Sequence, residues 1–302
     1  MRRDCPVSRA DPTKDPTKIP KMKRIHPHNK LNDLGGDKWI FMTQSVMKTN
    51  YTKSYGFSLR QRHGANKPPE LMKELILFFT KKAATVFDPF AGVGGTLIGA
   101  SLCGRKALGV ELNPRWISIY KEVCQREGIK QQKIICGDCL GVMDKLITGR
   151  RKFSLILTDP PYNISLSMTM CRGDYPNRNR QTDYKEFSKS IKDFSNSKTY
   201  EYYLDKMALF IEKSAKLLLK NKHLIIITKN AYQMSRYMLV NQDIAKIAQN
   251  RGFTLKGEII WYQNGVRLRP YGYPFSYVPN IIHQNILIFK KEVLNGVTSK
   301  SF

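Results

Sequence analysis

Acidic residues are the scarce class in this sequence. Against 51 Lys and Arg stand only 24 Asp and Glu, so the 302-residue chain carries a formal net charge of +27. An excess of that size projects a positive potential that attracts polyanions and speeds encounter with them, so nucleic acid is the expected partner. Long apolar runs are missing as well. No stretch approaches the ~20 apolar residues that span a bilayer, and Met1-Arg2-Arg3-Asp4-Cys5-Pro6 lacks the apolar segment of a secretory signal. No basic amphipathic helix stands out either, so no membrane partner is expected. The six cysteines are scattered. Cys136 and Cys139 have CxxC spacing, but no second pair or His cluster completes a zinc site. The expectation is no metal, reduced thiols and a cytoplasmic chain, nucleoid-associated in a bacterium or archaeon. No Gly-Lys-Ser/Thr sequence is present, which argues against an NTP-hydrolysing loop.

What is there suffices for one sizeable core, or one core with a small appendage. Residues 1–30 read as a basic, flexible arm holding a tandem Asp-Pro-Thr-Lys. Residues 31–292 read as one domain, and 293–302 as a tail. Pro68-Pro69-Glu70 is predicted to open a helix that runs through Phe79, with Leu71, Leu75 and Phe78 on one face. Strands are predicted at Thr85–Phe87, Ala107–Val110, Lys133–Cys136, Phe153–Thr158, Leu224–Thr228, Thr254–Trp261 and Ile281–Phe289. Helices fill 96–103, 113–127, 140–148, 199–220 and 240–250. Such alternation predicts an α/β, doubly wound, mostly parallel seven-stranded sheet, its last two strands forming an antiparallel pair. Two stretches break the rhythm. Residues 163–198 are polar and include Arg172, Arg178 and Arg180. In 262–279, Arg267 and Arg269 precede Tyr271, Tyr273, Phe275 and Tyr277.

Two constellations carry chemistry. The first is Asp88-Pro89-Phe90-Ala91-Gly92-Val93-Gly94-Gly95-Thr96, between a strand and a helix, where glycines let the backbone approach a ligand and turn tightly. The next two strands end near Glu111 and Asp138. Three acids at the carboxyl edge of one sheet favour an adenosine-bearing cofactor over a bare phosphate. The second is Thr158-Asp159-Pro160-Pro161-Tyr162, where consecutive prolines rigidify a loop at the strand end.

Together these resemble the amino-group DNA methyltransferases, the N6-adenine and N4-cytosine family, over roughly Leu31 to Lys290. His63-Gly64-Ala65-Asn66-Lys67-Pro68, Asn32-Asp33-Leu34 with Trp39, and His283-Gln284-Asn285 extend the likeness. The resemblance implies a Rossmann-like class I fold, with S-adenosyl-L-methionine as cofactor and S-adenosylhomocysteine as product. It places Asp88, Pro89, Phe90, Ala91, Gly92 and Gly94 under the cofactor, Glu111 on the ribose hydroxyls, and Asp138 with Cys139 on the adenine. Lys67 and Pro68 border the methionine end. It also implies that Asp159 and the Pro160 carbonyl accept hydrogen bonds from the target amine. Pro161 would stiffen that loop, and Tyr162 would stack on a base flipped from its duplex. No Pro-Cys dipeptide offers a C5-cytosine nucleophile.

The cofactor motif precedes the catalytic one, whereas many bacterial relatives reverse that order around a recognition region. Site recognition is therefore expected from 163–198, from 262–279 and from the arm, with Arg172, Arg178, Arg180, Arg267, Arg269 and Tyr271 as the DNA-contacting residues. An aromatic loop packed on the core is the alternative at 262–279. Adenine is favoured over cytosine because Asp heads the tetrapeptide. The rivals are an RNA enzyme making N2-methylguanine and a non-catalytic nucleic-acid-binding module. Neither the recognised sequence, nor a restriction endonuclease partner, nor the oligomeric state is legible in the residues.

Overall fold

Strands and helices alternate through the described part of the computed structural model, which is residues 24–51, 53–162, 190 and 192–292. The expected arm up to residue 23, the tail 293–302, and Arg172, Arg178 and Arg180 lie outside the described residues. A short helix α1 (Gly36–Met42), strand β1 (Val46–Thr49) and helices α2 (Phe57–Arg60) and α3 (Pro69–Phe79) come first. Then β2 (Thr85–Asp88), α4 (Gly95–Leu102), β3 (Lys106–Glu111), α5 (Pro114–Arg126), β4 (Lys133–Cys136), α6 (Cys139–Thr148) and β5 (Phe153–Thr158) alternate strictly. After these come α7 (Tyr200–Leu217) and β6 (Leu218–Thr228), then the hairpin of β7 (Ala231–Gln233) and β8 (Arg236–Met238). The last elements are α8 (Val240–Gln249), β9 (Phe253–Gln263) and β10 (His283–Lys291).

The large sheet has the order β1-β9-β10-β6-β5-β2-β3-β4. β10 runs antiparallel to both β6 and β9, and the other neighbours pair parallel. The doubly wound architecture thus stands, with eight strands in place of the seven expected. The additional one is β1, whose Val46–Thr49 pairs with Ile260–Gln263. Its residues alternate between exposed and half-buried, so pairing rather than an apolar run defines it. The hairpin β7–β8 is a further element absent from the sequence reading.

Central strands are apolar on both sides because both faces are covered. One face of the sheet packs on α3, α4 and α5, the other on α6, α7 and α8. Fully buried Leu, Ile and Phe side chains of this kind each contribute about 1.5–3 kcal/mol relative to exposure. Phe87 and Phe153 stack across β2 and β5 with centroids 4.7 Å apart. From β2 the chain winds outward to β3 and β4, then returns to place β5 on the opposite flank of β2. The winding reverses between β2 and β5, which is where ligands bind in open α/β sheets. Asp88 and Asp159 stand at that point.

Candidate active site

A cavity of about 1150 Å³, open mouth included, lies against the carboxyl ends of β2, β3, β4 and β5. Asp88, Pro89, Phe90, Ala91, Gly92, Glu111, Asp138, Cys139 and Lys67 line it, and so do Asp159, Pro160, Pro161 and Tyr162. The two motifs, about 70 residues apart in the chain, are stitched together by Thr158 Oγ1 donating to Asp88 Oδ1 at 2.6 Å. Burial pushes the Asp88 carboxyl up to about 6, against the lowering effect of the Thr158 bond.

The glycine loop turns through Gly92 at φ 50° and Gly94 at φ 81°, a region that side chains other than glycine rarely adopt. The Gly92 amide donates to Glu111 Oε2 at 2.9 Å and the Asn113 amide to Oε1 at 2.8 Å. Glu111 is thereby aimed by main chain, and its remaining lone pairs are free to accept from a diol. Burial nevertheless raises its carboxyl to about 7, opposed by those two amides. Asp138 caps α6 by accepting from Gly141 N at 2.9 Å, so it serves the helix and lines the cavity at once.

Two expected contacts fall elsewhere. Gly94 lies outside the lining, because its missing side chain makes room for Tyr120: a Cβ there would sit 2.1 Å from the ring. Pro68 is also outside, as the residue that precedes the first turn of α3. Asn32 is likewise structural. Its buried amide donates to Phe78 O at 2.6 Å and its oxygen accepts from Trp39 Nε1 at 3.2 Å, so the opening segment is clasped to α3.

The catalytic loop is held from two sides. Lys67 Nζ pairs with Asp159 Oδ2, and the Tyr162 hydroxyl donates to Asp159 Oδ1. Lys67 itself is 6% exposed. Buried Arg60 fixes its segment, donating to Asn66 Oδ1 and to Lys67 O at 3.1 Å each. Burial, then the neighbouring Asp159, raises the Tyr162 hydroxyl well above its ordinary value, so it stays protonated and donates. Lys67 thus lines the cavity and makes a direct ion pair with the loop.

Sequence reasoning missed several lining residues. His63 packs edge-on to Trp116 with centroids 4.8 Å apart, and burial lowers its imidazole to about 3, leaving it neutral. Asp193 and Phe194 also line the cavity, with Phe194 edge-on to Phe90 at 5.0 Å. The end of the 163–198 segment therefore lines the cavity beside Phe90. No sequence signal marks it, because the contact is made only by the returning chain.

Arg267, Arg269 and Tyr271 lie away from the cavity, between β9 and β10, and both arginines are exposed. Asn280 closes the base of this loop, accepting from Arg269 N at 2.9 Å and donating to Arg269 O at 2.8 Å. Tyr273, Phe275 and Tyr277 are 81%, 94% and 85% exposed, so the alternative of an aromatic loop packed on the core does not hold. Among the described residues no helix is long and apolar enough to cross a membrane.

Comparison with known proteins matches residues 8–122 and 153–296 to a family model, N6_N4_Mtase, described as DNA methylase. A tRNA (guanine(10)-N2)-dimethyltransferase of Pyrococcus abyssi is 28% identical over 117 residues, 39% of this chain and 35% of that protein. The type II methyltransferase M.HindIII of Haemophilus influenzae is 44% identical over 69 residues, 23% of this chain and 21% of its own. Each match thus spans about a third or less of the relative's length. Among solved structures, TrmN from Thermus thermophilus aligns over 74% of this chain and 48% of its own, with 14% identity and a TM-score of 0.44.

Proposed function

The chain belongs to the DNA methylase family of N6 and N4 methyltransferases, a family that uses S-adenosyl-L-methionine, and from that premise we propose that it methylates adenine N6 in duplex DNA at an extruded base. The observation that carries this reading is the shared cavity: Asp159–Tyr162 and the three strand-end acids Asp88, Glu111 and Asp138 line one space. The residues suit the cofactor. Glu111, aimed by two backbone amides, is placed to accept from ribose hydroxyls; Asp138 and Cys139 border the base; Phe90 with Phe194 supplies an apolar wall. The cofactor supplies an electrophilic methyl group.

The protein's part is to make a poor nucleophile react. An exocyclic amine is conjugated into its ring, and accepting hydrogen bonds from both its N–H groups turns the lone pair outward. Asp159 Oδ and the Pro160 carbonyl are the acceptors, and the prolines hold the carbonyl direction so that nothing reorganises at reaction time. Lys67 and Tyr162 hold the Asp159 carboxylate aimed into the cavity. An entering amine replaces one of these two donors. After methylation the nitrogen bears one proton too many, and Asp159 is the nearest base to receive it. The Tyr162 ring stands beside the same carboxylate, where an extruded base would lie against it.

Duplex DNA is favoured by the family and by the exposed Arg267, Arg269 and Tyr271 loop, which supplies cations for phosphates and rings for stacking. A second reading, methylation of guanine N2 in RNA, has the tRNA methyltransferase likeness in its favour. Cytosine N4 is the alternative within DNA. Expressing the chain in a host without adenine or cytosine methylation, and mapping modified bases by single-molecule sequencing, separates these. N6-methyladenine at a defined motif, absent with Asp159→Asn, is the expected result. Modified guanine in tRNA with unmodified DNA would favour the second reading.

A further inference from the structure

The hairpin β7–β8 has no part in the cavity chemistry described above, yet it begins two residues after β6 ends at the catalytic edge. Ala231, Gln233 and Met238 line a small second cavity whose opposite wall is Tyr162 and Tyr203. The root of the hairpin is thus the back wall of the catalytic loop. Its tip is the opposite in character. Met234 follows Gln233 directly and is 87% exposed. Gln233 pairs with Arg236, so Met234 and Ser235 form a two-residue turn, with φ of 47° and 59°. Turns of this hand favour Asn and Gly. A long apolar side chain there is costly to the backbone and buries nothing within the protein. Costs of this kind persist at functional sites more often than elsewhere.

The surroundings say what the tip meets. Arg236 flanks it, Lys229 stands at its root, and the Tyr232 hydroxyl donates to Tyr277 O at 3.4 Å, which joins the hairpin to the exposed loop carrying Arg267 and Arg269. An apolar point set among cations suits a polyanion with an apolar interior, which is a stacked duplex. Arms of three residues give a reach of about 10 Å, enough to cross a DNA groove about 8 Å deep. Resting on the DNA reading above, we propose that the β7–β8 hairpin is a wedge: Met234 enters the base stack and fills the gap left when the target base is extruded toward Tyr162. Apolar side chains, methionine among them, serve other duplex-bending proteins in this way.

The test uses the full chain, its cofactor, and a duplex carrying the motif that sequencing identifies. One form of the duplex has the target base paired, and the other sets it opposite an abasic site, where extrusion is already nearly free. Single-turnover methylation is measured for the wild type, Met234→Ala and Met234→Leu. Met234→Ala is expected to slow the paired duplex by roughly 10- to 100-fold, the scale set by unstacking one step, and to slow the abasic form several-fold less. Met234→Leu, which restores an apolar point, should recover most of the rate. A 2-aminopurine at the target position should brighten less with Met234→Ala than with the wild type. Equal losses on both duplexes, or no loss on either, would overturn the wedge while leaving DNA methylation standing. Methylation of tRNA with no DNA product would overturn the DNA reading and the wedge together, so the two failures are distinguishable.

Discussion

The carboxyl edge of the sheet is built in two styles. Around β2, β3 and β4 the functional groups are tucked in and tied down: Asp88 by Thr158, Glu111 by two backbone amides, Asp138 by a helix turn. Around β6 and β9 the same edge throws its large side chains into water, with Met234, Tyr273, Phe275 and Tyr277 all at least 81% exposed. A small, constant ligand can be met by a rigid, preorganised wall. A large polyanion cannot be enclosed, so the side that meets it presents anchors that become buried only in the complex. The contrast fits the proposed function, with one half serving the cofactor and the other its acceptor.

The strongest attempt to break that division is Asp159→Asn, at the seam between the halves. Methyl transfer should fall by about 10³-fold or more, the scale of losing a preorganised electrostatic partner. Cofactor affinity, measured by calorimetry, should change only a few-fold. An equal loss of both would mean the seam belongs to the cofactor side. On the proposed role of Glu111 as ribose acceptor, Glu111→Ala should weaken cofactor binding by about 100-fold, from losing charge-assisted hydrogen bonds. Glu111 also gives a pH signature. Its carboxyl is raised to about 7, and a diol is held by the ionised form, so affinity should rise between pH 6 and 8 with proton release on binding. Folding stability runs the other way. Glu111 and Asp88 both have raised values in the folded state, so their contribution is present when they are protonated and is lost as pH rises through about 7 and about 6. Glu111→Gln should flatten both profiles, which isothermal calorimetry and thermal melts at several pH values check.

Gly94→Ala sharpens the comparison within the rigid half. Its Cβ would meet Tyr120 at 2.1 Å on a backbone of φ 81°, so about 1–3 kcal/mol of stability should go, with cofactor affinity falling as the loop shifts. A melt unchanged within error would show the turn to be looser than its packing. The smallest effect is expected on the open side. Replacing Arg267 and Arg269 together by Ala should weaken DNA binding about ten-fold and reduce the salt slope by about 2, one counterion-release step for each phosphate contact. Cofactor binding should be untouched. An unchanged slope would remove that loop from the interface.

The division also explains what could be read from residues alone. Phe153–Thr158 and Leu224–Thr228 are buried on both faces, so their composition announces a central strand, and α7 between them carries a clear apolar stripe. Glu111 and Asp138 were legible because strand ends recur at fixed places in such sheets. β1 was not, since Val46–Thr49 exists through pairing with Ile260–Gln263 and not through an apolar pattern. The hairpin was hidden for a similar reason, with only three residues to an arm and Met-Ser where Asn-Gly would have signalled a turn. Asp193 and Phe194 reach the cavity across a long segment of chain, a contact that spacing does not encode. Pro68 and Gly94 were read as cofactor contacts because helix entry and close packing use the same residues as ligand binding.

The central claim is that this cavity methylates an amine of a DNA base. Purified chain incubated with methyl-labelled S-adenosylmethionine, duplex DNA from an unmethylated host, and tRNA from the same host tests it in one tube. Label is expected in DNA, recovered as N6-methyladenine and lost with Asp159→Asn. Label in tRNA alone, recovered as N2-methylguanine, would contradict it.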